Sequence, residues 1–306
     1  MIVIGSRGSQ LALWQANWVK AQLEASGESA RIEIIKTSGD RITDVPLAEA
    51  GGKGLFTKEI EDALLARHID LAVHSLKDLP TALPEGLCLA AVPQREDARD
   101  ALVGRTLAGL RHGAKVGTSS LRRVAQLRAA RPDLEVESIR GNVDTRLRKL
   151  AEGQFEAIVL AAAGLRRLGF EDRIAEPIPM DIMCPAVGQG ALGIETRDDG
   201  GAAASIRARL DHAATRIAVE AERSLLAALG GGCQVPIGAY AEAAGDELRL
   251  RAVVASPDGS RIIRREVTGA AADARKIGEA IGAELLASGG REILEMVYGG
   301  PVRARD

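Results

Sequence analysis

The chain has 306 residues, a length at which two or three domains are expected rather than one hydrophobic core. Its net charge of -2 at pH 7 argues against a general affinity for nucleic acid or anionic membranes. The sequence shows no apolar run long enough to cross a membrane and no secretory signal, and its three cysteines suit a reducing cytoplasm.

Strands and helices alternate through the first part of the chain. IVIG at 2–5 predicts a strand, and Ser9 is placed to cap a helix whose apolar stripe includes Leu11, Trp14 and Trp18. This order is typical of a parallel α/β domain. The other elements predicted here are a helix and two strands, at 57–68, 31–36 and 69–75.

A second alternating unit begins near residue 100. The segments REDARD (95–100) and PAVGQG (185–190) are candidate hinges, and two crossings would return the chain to its first domain. From about 213 the pattern changes to a long helix, three strands and a final helix, which predicts an α+β domain. The predicted domains are 1–95 plus about 190–210, 96–189 and 213–306.

Several common functional motifs are absent or misplaced. GQGALG (188–193) matches a dinucleotide fingerprint, but the segment after it predicts a strand where the fingerprint needs a helix. The sequence has no P-loop and no nucleophile elbow. Its four histidines are isolated, so no metal site is predicted.

Cationic and hydroxyl side chains follow the ends of five predicted strands. Helix N-termini and the carboxyl ends of strands in open α/β sheets favour anions. A solvated helix face explains any one arginine, and plain capping explains Ser119 and Ser120. Together they predict a ligand with several carboxylates or phosphates. The residues are Arg7, Ser9, Lys53, Lys77, Thr118, Ser119, Ser120, Arg122, Arg123, Arg140 and Arg146.

Two further residues admit more than one interpretation. Asp78 either caps a helix or faces a cationic or N–H-donating part of the ligand, where a carboxylate stabilises developing positive charge. Cys233, in GGGCQVPIG, is a buried apolar residue, a nucleophile without an evident base, or a covalent anchor. Its glycines favour exposure. Cys88 is interpreted as a core residue, and Cys184 fits either environment.

The motifs also resemble those of one known family from end to end, the porphobilinogen deaminases. No single segment is decisive, but all occur in the family's order and nearly span the chain. The matching segments are SRGSQLALWQA, GGKGLFTKE, DLAVHSLKDLP, VGTSSLRR, SIRGNVDTRLRKL, LAAAGLRRLG, PAVGQGALGIE and GGCQVPIGAYA.

The resemblance implies a fold, a cofactor and a reaction. The fold is α/β, with two periplasmic-binding-protein-like domains and a C-terminal α+β domain with a three-stranded antiparallel sheet. A dipyrromethane cofactor is attached to Cys233 by a thioether. Four porphobilinogen molecules are added to it with loss of ammonia, and water releases hydroxymethylbilane. The family also implies a cytoplasmic monomer that binds neither nucleic acid nor membranes.

The resemblance assigns roles residue by residue. Asp78 matches the catalytic aspartate, and Arg166 could substitute for Arg167. Asp144 adds negative charge that either weakens carboxylate binding or faces solvent. The matching cofactor residues are Cys233, Lys77, Thr118, Ser119, Ser120, Arg122 and Arg123. The matching substrate residues are Arg7, Ser9, Gln15, Lys53, Phe56, Ser75, Arg140, Arg146, Arg167 and Gln189.

Two other functions remain open from the residues alone. A two-lobed receptor without catalysis would also place anion-binding loops at strand ends, although it would not need the Cys233 loop. A transferase that uses Cys233 as a true nucleophile would need the thiol to be free. Alkylation by iodoacetamide separates a reactive thiol from a thioether anchor.

Overall fold

The computed structural model describes residues 1–41, 54–231 and 235–299. Lys53 and Cys233 therefore lie outside the described residues. The chain divides into two compact units, Met1–Glu96 with Gly190–Arg216 and Asp97–Gln189 with Ile217–Asp306. The division into three domains predicted from the sequence stays a prediction.

The described residues contain thirteen strands in three sheets. Their bounds are β1 Ile2–Ser6, β2 Ala30–Ile34, β3 Leu71–Ser75, β4 Leu87–Ala91, β5 Asp100–Val103, β6 Lys115–Gly117, β7 Glu135–Glu137, β8 Ala157–Ala161, β9 Ile174–Pro177, β10 Leu192–Arg197, β11 Ile237–Ala244, β12 Glu247–Ala255 and β13 Ile262–Ala270.

Ten α-helices lie within the same part of the chain. Their bounds are α1 Gln10–Ala25, α2 Ser38–Arg41, α3 Lys58–Leu65, α4 Leu121–Ala130, α5 Val143–Ala151, α6 Ala162–Arg167, α7 Gly201–Leu210, α8 Ala213–Ala228, α9 Ala274–Leu285 and α10 Arg291–Tyr298.

The first unit is built on a five-stranded sheet in the order β2-β1-β3-β10-β4. β1 is parallel to β2 and β3, whereas β10 is antiparallel to both β3 and β4. The sheet is therefore mixed, with β10 as an antiparallel strand beside the parallel strands that the sequence predicts. β3 lies in the middle and its residues Leu71 to His74 are buried, which explains why this segment is almost entirely apolar.

The second unit contains a five-stranded sheet with the same arrangement, in the order β7-β6-β8-β5-β9. β6 is parallel to β7 and β8, and β5 is antiparallel to β8 and β9. In both sheets a strand from elsewhere in the chain inserts next to the third parallel strand. In each sheet that strand runs antiparallel to both of its neighbours.

A separate antiparallel sheet, β11-β12-β13, follows in the second unit. Its core includes Leu225, Leu229, Leu250 and Leu285, which pack one sheet face against α8 and α9. The three sheets confirm the predicted α/β class and the three-stranded antiparallel sheet in the C-terminal part of the chain. The segment after GQGALG is strand β10, so the prediction that this motif is not a dinucleotide fingerprint holds.

No helix in the described residues is long and apolar enough to cross a membrane.

Candidate active site

In the first unit, two predicted loops lie at one edge of the sheet because the carboxyl ends of the parallel strands β1 and β3 meet there. Arg7 and Ser9 follow β1. Ser9 is the N-cap of α1, and its hydroxyl accepts a hydrogen bond from the Ala12 amide at 3.3 Å. This confirms the predicted cap, which satisfies one of the helix's unpaired N–H groups.

The residues after β3 make a short turn of 3-10 helix. Ser75 ends the strand, and Lys77 and Asp78 follow within Leu76–Asp78. Both charged side chains are half-buried. The buried Gln15 of α1 donates from Nε2 to the Ser75 hydroxyl at 2.8 Å, so helix and strand end are held together. Gln15 and Ser75 thus support the same edge of the sheet that carries Asp78.

A buried ionisable group lies directly beneath this turn. His74 pairs with Glu195 of β10 across 2.9 Å, and both side chains are almost completely buried. Glu61 of α3 is buried nearby, and burial is the main reason that its pKa is raised, with the Glu195 charge adding to the effect. None of these three residues was singled out from the sequence, where an isolated histidine in an apolar strand gives no signal of its partners.

Arg7 forms an ion pair and a ring contact with residues of the first unit. Its Nε and Nη2 groups donate to the carboxylate of Asp40, with Nε at 3.1 Å from Oδ1. The Phe56 ring stacks on the guanidinium, 4.1 Å from its central carbon to the ring centroid. Phe56, which the resemblance places near cofactor rings, therefore contacts a predicted substrate residue in this structure.

In the second unit, the predicted hydroxyl cluster lies between β6 and α4. The Ser119 hydroxyl donates to the Ile139 carbonyl at 2.6 Å. Thr118 is buried, and its hydroxyl accepts from the Ser120 amide at 3.3 Å. Ser120 has the extended backbone of an N-cap, but its side chain makes no capping hydrogen bond in the described structure. Plain capping therefore does not explain either serine hydroxyl.

Arg122 and Arg123 differ from the sequence expectation. Both point inward to one buried carboxylate, Asp100 of β5. Arg122 Nη1 lies 2.6 Å from Asp100 Oδ2, and Arg123 Nε lies 2.9 Å from Oδ1. Their remaining donors bind the carbonyls of Cys184 and Val159. Ligand binding by these arginines stays a prediction, because in this structure their forks bind a protein carboxylate.

Gln189 belongs to the same buried network. Its Nε2 donates to the Ala98 carbonyl at 2.7 Å and to Asp100 Oδ1 at 3.0 Å. Burial by itself would raise the pKa of Asp100, but the charges of Arg122 and Arg123 outweigh it and hold that pKa far below its usual range. Asp100 is therefore ionised and neutralises one of the two arginines.

Arg140 and Arg146 lie at the start of α5, where Asn142 occupies the N-cap position. Arg146 Nε donates to the Gly141 carbonyl at 2.8 Å, and no carboxylate of the described residues forms an ion pair with it. Burial lowers the pKa of Arg146 to about 10, and repulsion from Arg123 and Arg140 adds to this. The predicted cations therefore do converge at this place.

The structure describes the surroundings of two positions that the sequence left open. Arg166 pairs with Asp97 at 3.3 Å and with Glu171 at 3.1 Å, so its charge is compensated locally. Arg167, at the end of α6, is half-buried. Asp144 is exposed in the first turn of α5, in agreement with the interpretation that it faces solvent.

The described cysteines are unsuited to chemistry. Cys184 is buried, and burial raises the pKa of its thiol to about 12, so it stays protonated. Cys88 is half-buried rather than a full core residue, with Sγ 3.5 Å from the Thr196 hydroxyl. Within residues 1–41, 54–231 and 235–299, no cluster of His, Cys, Asp or Glu could hold a metal ion.

Sequence reasoning missed Asp100 and Asp40, the acidic partners of the predicted arginines. Asp100 lies in REDARD, which was interpreted only as a hinge. One signal was available, because a carboxylate that opens the fully buried strand DALV requires a cationic partner. The sequence could not show that the partners would be Arg122 and Arg123, 22 and 23 residues away.

Comparison with known proteins gives a consistent result along the chain. The family model "Porphobilinogen deaminase, dipyromethane cofactor binding domain" matches residues 2–205, and "Porphobilinogen deaminase, C-terminal domain" matches residues 216–287. The chain is 55% identical over 303 residues to a porphobilinogen deaminase of Syntrophobacter fumaroxidans, which covers 97% of this chain and 98% of the relative. A porphobilinogen deaminase of Geobacter sulfurreducens is 54% identical over 299 residues, with 96% and 94% covered.

Among solved structures, the chain is similar to a periplasmic substrate-binding protein of an ABC transporter from Coxiella burnetii. The TM-score is 0.42 at 12% identity, and the match covers 67% of this chain and 90% of the other.

Replacing Asp100 by Asn should destabilise the second unit strongly. The change leaves two buried guanidinium groups without their anion, and removing one partner of a buried ion pair costs about 3–5 kcal/mol. We expect the free energy of unfolding in urea to fall by about that amount. Glu137→Gln is the matched control, since its pair with Lys115 is exposed to solvent and its loss should change the stability far less. Equal effects of the two variants would contradict the role given to Asp100.

Proposed function

The chain belongs to the porphobilinogen deaminase family, and we propose that it condenses four porphobilinogen molecules head to tail on a dipyrromethane attached to Cys233. Each addition forms a carbon–carbon bond between pyrroles and releases ammonia. Water then releases the linear tetrapyrrole, hydroxymethylbilane. The enzyme is thus a transferase of tetrapyrrole biosynthesis, and we propose that it acts as a cytoplasmic monomer.

One structural observation carries the proposal, namely the surplus of positive charge at the start of α5. Asp100 neutralises only one of the two arginines that it binds. Arg146 adds a further cation that has no carboxylate partner among the described residues, and burial lowers its pKa to about 10, with repulsion from Arg123 and Arg140 adding to this. Such a cluster is stabilised by a ligand that brings several carboxylates. Each pyrrole unit of the proposed ligands carries an acetate and a propionate, which fits this donor set.

The chemistry of the described residues also fits the cofactor. Dipyrromethane, when bound, supplies the pyrrole carbon to which the first porphobilinogen is joined. We propose that Cys233 holds it through a thioether, so the thiol is an anchor and needs no neighbouring base. In the proposal, cationic and hydroxyl side chains bind the carboxylates of this cofactor. The proposed cofactor residues are Lys77, Thr118, Ser119, Ser120, Arg122 and Arg123.

The substrate is held by a second group of residues in the proposal. Arg7, Arg140 and Arg146 bind its carboxylates, and Phe56 packs against pyrrole rings. Ser75 and Gln15 hold the end of β3 in place, as their hydrogen bond indicates. The remaining proposed substrate residues are Ser9, Lys53, Arg167 and Gln189.

Asp78 is the proposed catalytic residue. Loss of ammonia leaves positive charge on the substrate's pyrrole, and a carboxylate beside the ring N–H stabilises that charge. The same carboxylate can assist proton transfer as the new bond forms. Its position in a rigid turn at the strand end, next to Lys77, keeps the carboxylate in place while the ligand changes.

The covalent cofactor is tested by the intact mass of the denatured protein. We expect an excess mass equal to two linked pyrrole units in the parent and in Cys88→Ala, and a bare chain for Cys233→Ala. A parent with the mass of the bare chain would then be incubated with porphobilinogen, since only an unloaded enzyme acquires the adduct. A parent that stays bare after this incubation would refute the proposal.

Replacing Asp78 by Asn should lower kcat by about 10²-fold or more, because the variant loses a charge that acts in the transition state. KM should change little, and urea unfolding should show a folded protein. Asp62→Asn removes an equal charge from the exposed face of α3 and should leave kcat unchanged. A near-normal kcat for Asp78→Asn would remove this residue from the mechanism.

Replacing Arg146 by Leu should raise KM for porphobilinogen by about tenfold or more, since a hydrogen bond to a charged group contributes about 1.5–3 kcal/mol. The matched control is Arg148→Leu on the same helix. Arg148 is 70% exposed and lies 3.8 Å from Glu152, so its loss should not alter KM. Both KM values are measured by steady-state kinetics. Equal KM values for the two variants would show that Arg146 only faces solvent.

A further inference from the structure

The guanidinium of Arg7 already binds a carboxylate in this structure. Nε lies 3.1 Å from Asp40 Oδ1 and 3.3 Å from Oδ2, and Nη2 lies 2.5 Å from Oδ1, so two N–H groups of the guanidinium bind this carboxylate. A carboxylate of a ligand would use the same donors. The side chains are 21% and 29% exposed, so solvent and solutes reach the pair.

Asp40 is held in place by contacts that do not involve Arg7. Its Oδ2 accepts from the Thr37 hydroxyl at 2.8 Å and from the Thr37 amide at 3.4 Å. Burial opposes ionisation, but Arg7 and Thr37 together keep the pKa of Asp40 below its usual range. The carboxylate is therefore charged, and it would keep two hydrogen-bond donors if Arg7 left it.

The surrounding backbone is fitted closely to this arrangement. The Gly39 amide donates to the Leu55 carbonyl at 2.7 Å, which joins the segment of Asp40 to that of Phe56. A Cβ at position 39 would lie 2.2 Å from the Phe56 ring, so only glycine fits there. Phe56 in turn stacks on Arg7. Asp40 thus binds the edge of the Arg7 guanidinium, and the Phe56 ring covers one of its faces.

We propose that Asp40 is an internal competitor for Arg7: a carboxylate that occupies its guanidinium and that a carboxylate of the substrate must displace. The inference rests on the proposed function, in which Arg7 binds such a carboxylate. The exchange replaces one Arg7–carboxylate pair by another. Asp40 retains its two bonds from Thr37 after displacement, so no buried charge is abandoned.

Anions differ in how well they bind after this exchange, because they differ in the contacts that they make beyond Arg7. A simple carboxylate such as acetate gains at Arg7 only what Asp40 loses, so it has no net advantage there. A pyrrole with two carboxylates and an aromatic ring gains further contacts at other cations and can displace Asp40. Asp40 therefore lowers affinity for every carboxylate by a similar factor, and only a ligand with additional contacts remains well bound.

The test is the steady-state kinetics of the loaded holoenzyme with Asp40→Asn, which removes the competing charge but keeps the size of the side chain. We expect KM for porphobilinogen to fall about twofold to fivefold, the range of a partly exposed ion pair. The inhibition constant of acetate, measured at constant ionic strength with chloride, should fall by a similar factor. Asp40→Ser is a second variant with the same expectation.

Asp199→Asn is the matched charge control. It removes a carboxylate of similar exposure in the same unit, where Asp199 pairs with Arg67 and Arg197, and it should leave both constants unchanged. A KM that is unchanged or raised in both Asp40 variants would overturn the inference, because Asp40 would then only support Arg7. The same shift in Asp199→Asn would overturn it too, as a general charge effect.

Arg7→Leu separates a failure of this inference from a failure of the proposed function. If Arg7→Leu raises KM while the Asp40 variants do not lower it, Arg7 binds substrate and only the competition is wrong. If Arg7→Leu leaves KM unchanged, the assignment of Arg7 itself fails. In the double variant Arg7→Leu with Asp40→Asn, the Asp40 substitution should have no further effect on KM.

Discussion

The buried carboxylate of Asp100 is the interaction on which the second unit's candidate site depends. Two guanidinium groups cannot be buried side by side without an anion between them, because desolvation and mutual repulsion both oppose it. Asp100 supplies that anion and also accepts a hydrogen bond from Gln189, while two backbone carbonyls accept further hydrogen bonds from the arginines. The ends of β5, β8 and α4 are thereby fixed relative to each other by electrostatics as well as by packing.

The two units differ in how far the charges of their arginines are compensated by carboxylates. In the second unit one carboxylate binds two arginines, and Arg146 has no acidic partner in the described part of the chain, so a positive surplus remains. In the first unit Arg7 is matched one to one by Asp40. An anion that binds at Arg146 of the second unit meets a charge that no carboxylate of the described residues compensates. An anion that binds at Arg7 of the first unit has to replace a carboxylate that is already there.

The thiols of Cys184 and Cys233 differ in the roles that their surroundings allow. Cys184 lies in the buried network, where Arg122 binds its carbonyl and where burial keeps its thiol protonated. Its role is structural. Cys233, by contrast, follows three consecutive glycines, a composition that allows close approach of a bulky group to the backbone. The anchoring role proposed for it needs access and not activation, which agrees with a sequence that offers no evident base.

The sequence by itself determined the elements, the fold class and the family. Periodicity predicted many of the strands and helices, because a buried strand or a helix stripe is a local pattern of apolar residues, but it did not predict β4, β5, β9, α2, α7 or α10. It also located Ser9 as a cap and the cationic strand ends, since both depend only on neighbours along the chain. The mixed direction of the two large sheets could not be predicted in this way, because it depends on where β5 and β10 insert.

Only the tertiary structure decided which charges meet. Asp100 and Arg122, Asp40 and Arg7, and His74 and Glu195 are separated by 22, 33 and 121 residues, so no local pattern joins them. A sequence shows that a guanidinium is present, but not whether a carboxylate already binds it. That depends on distance and burial, which set the balance of desolvation and pairing, and these arise only when distant segments pack together.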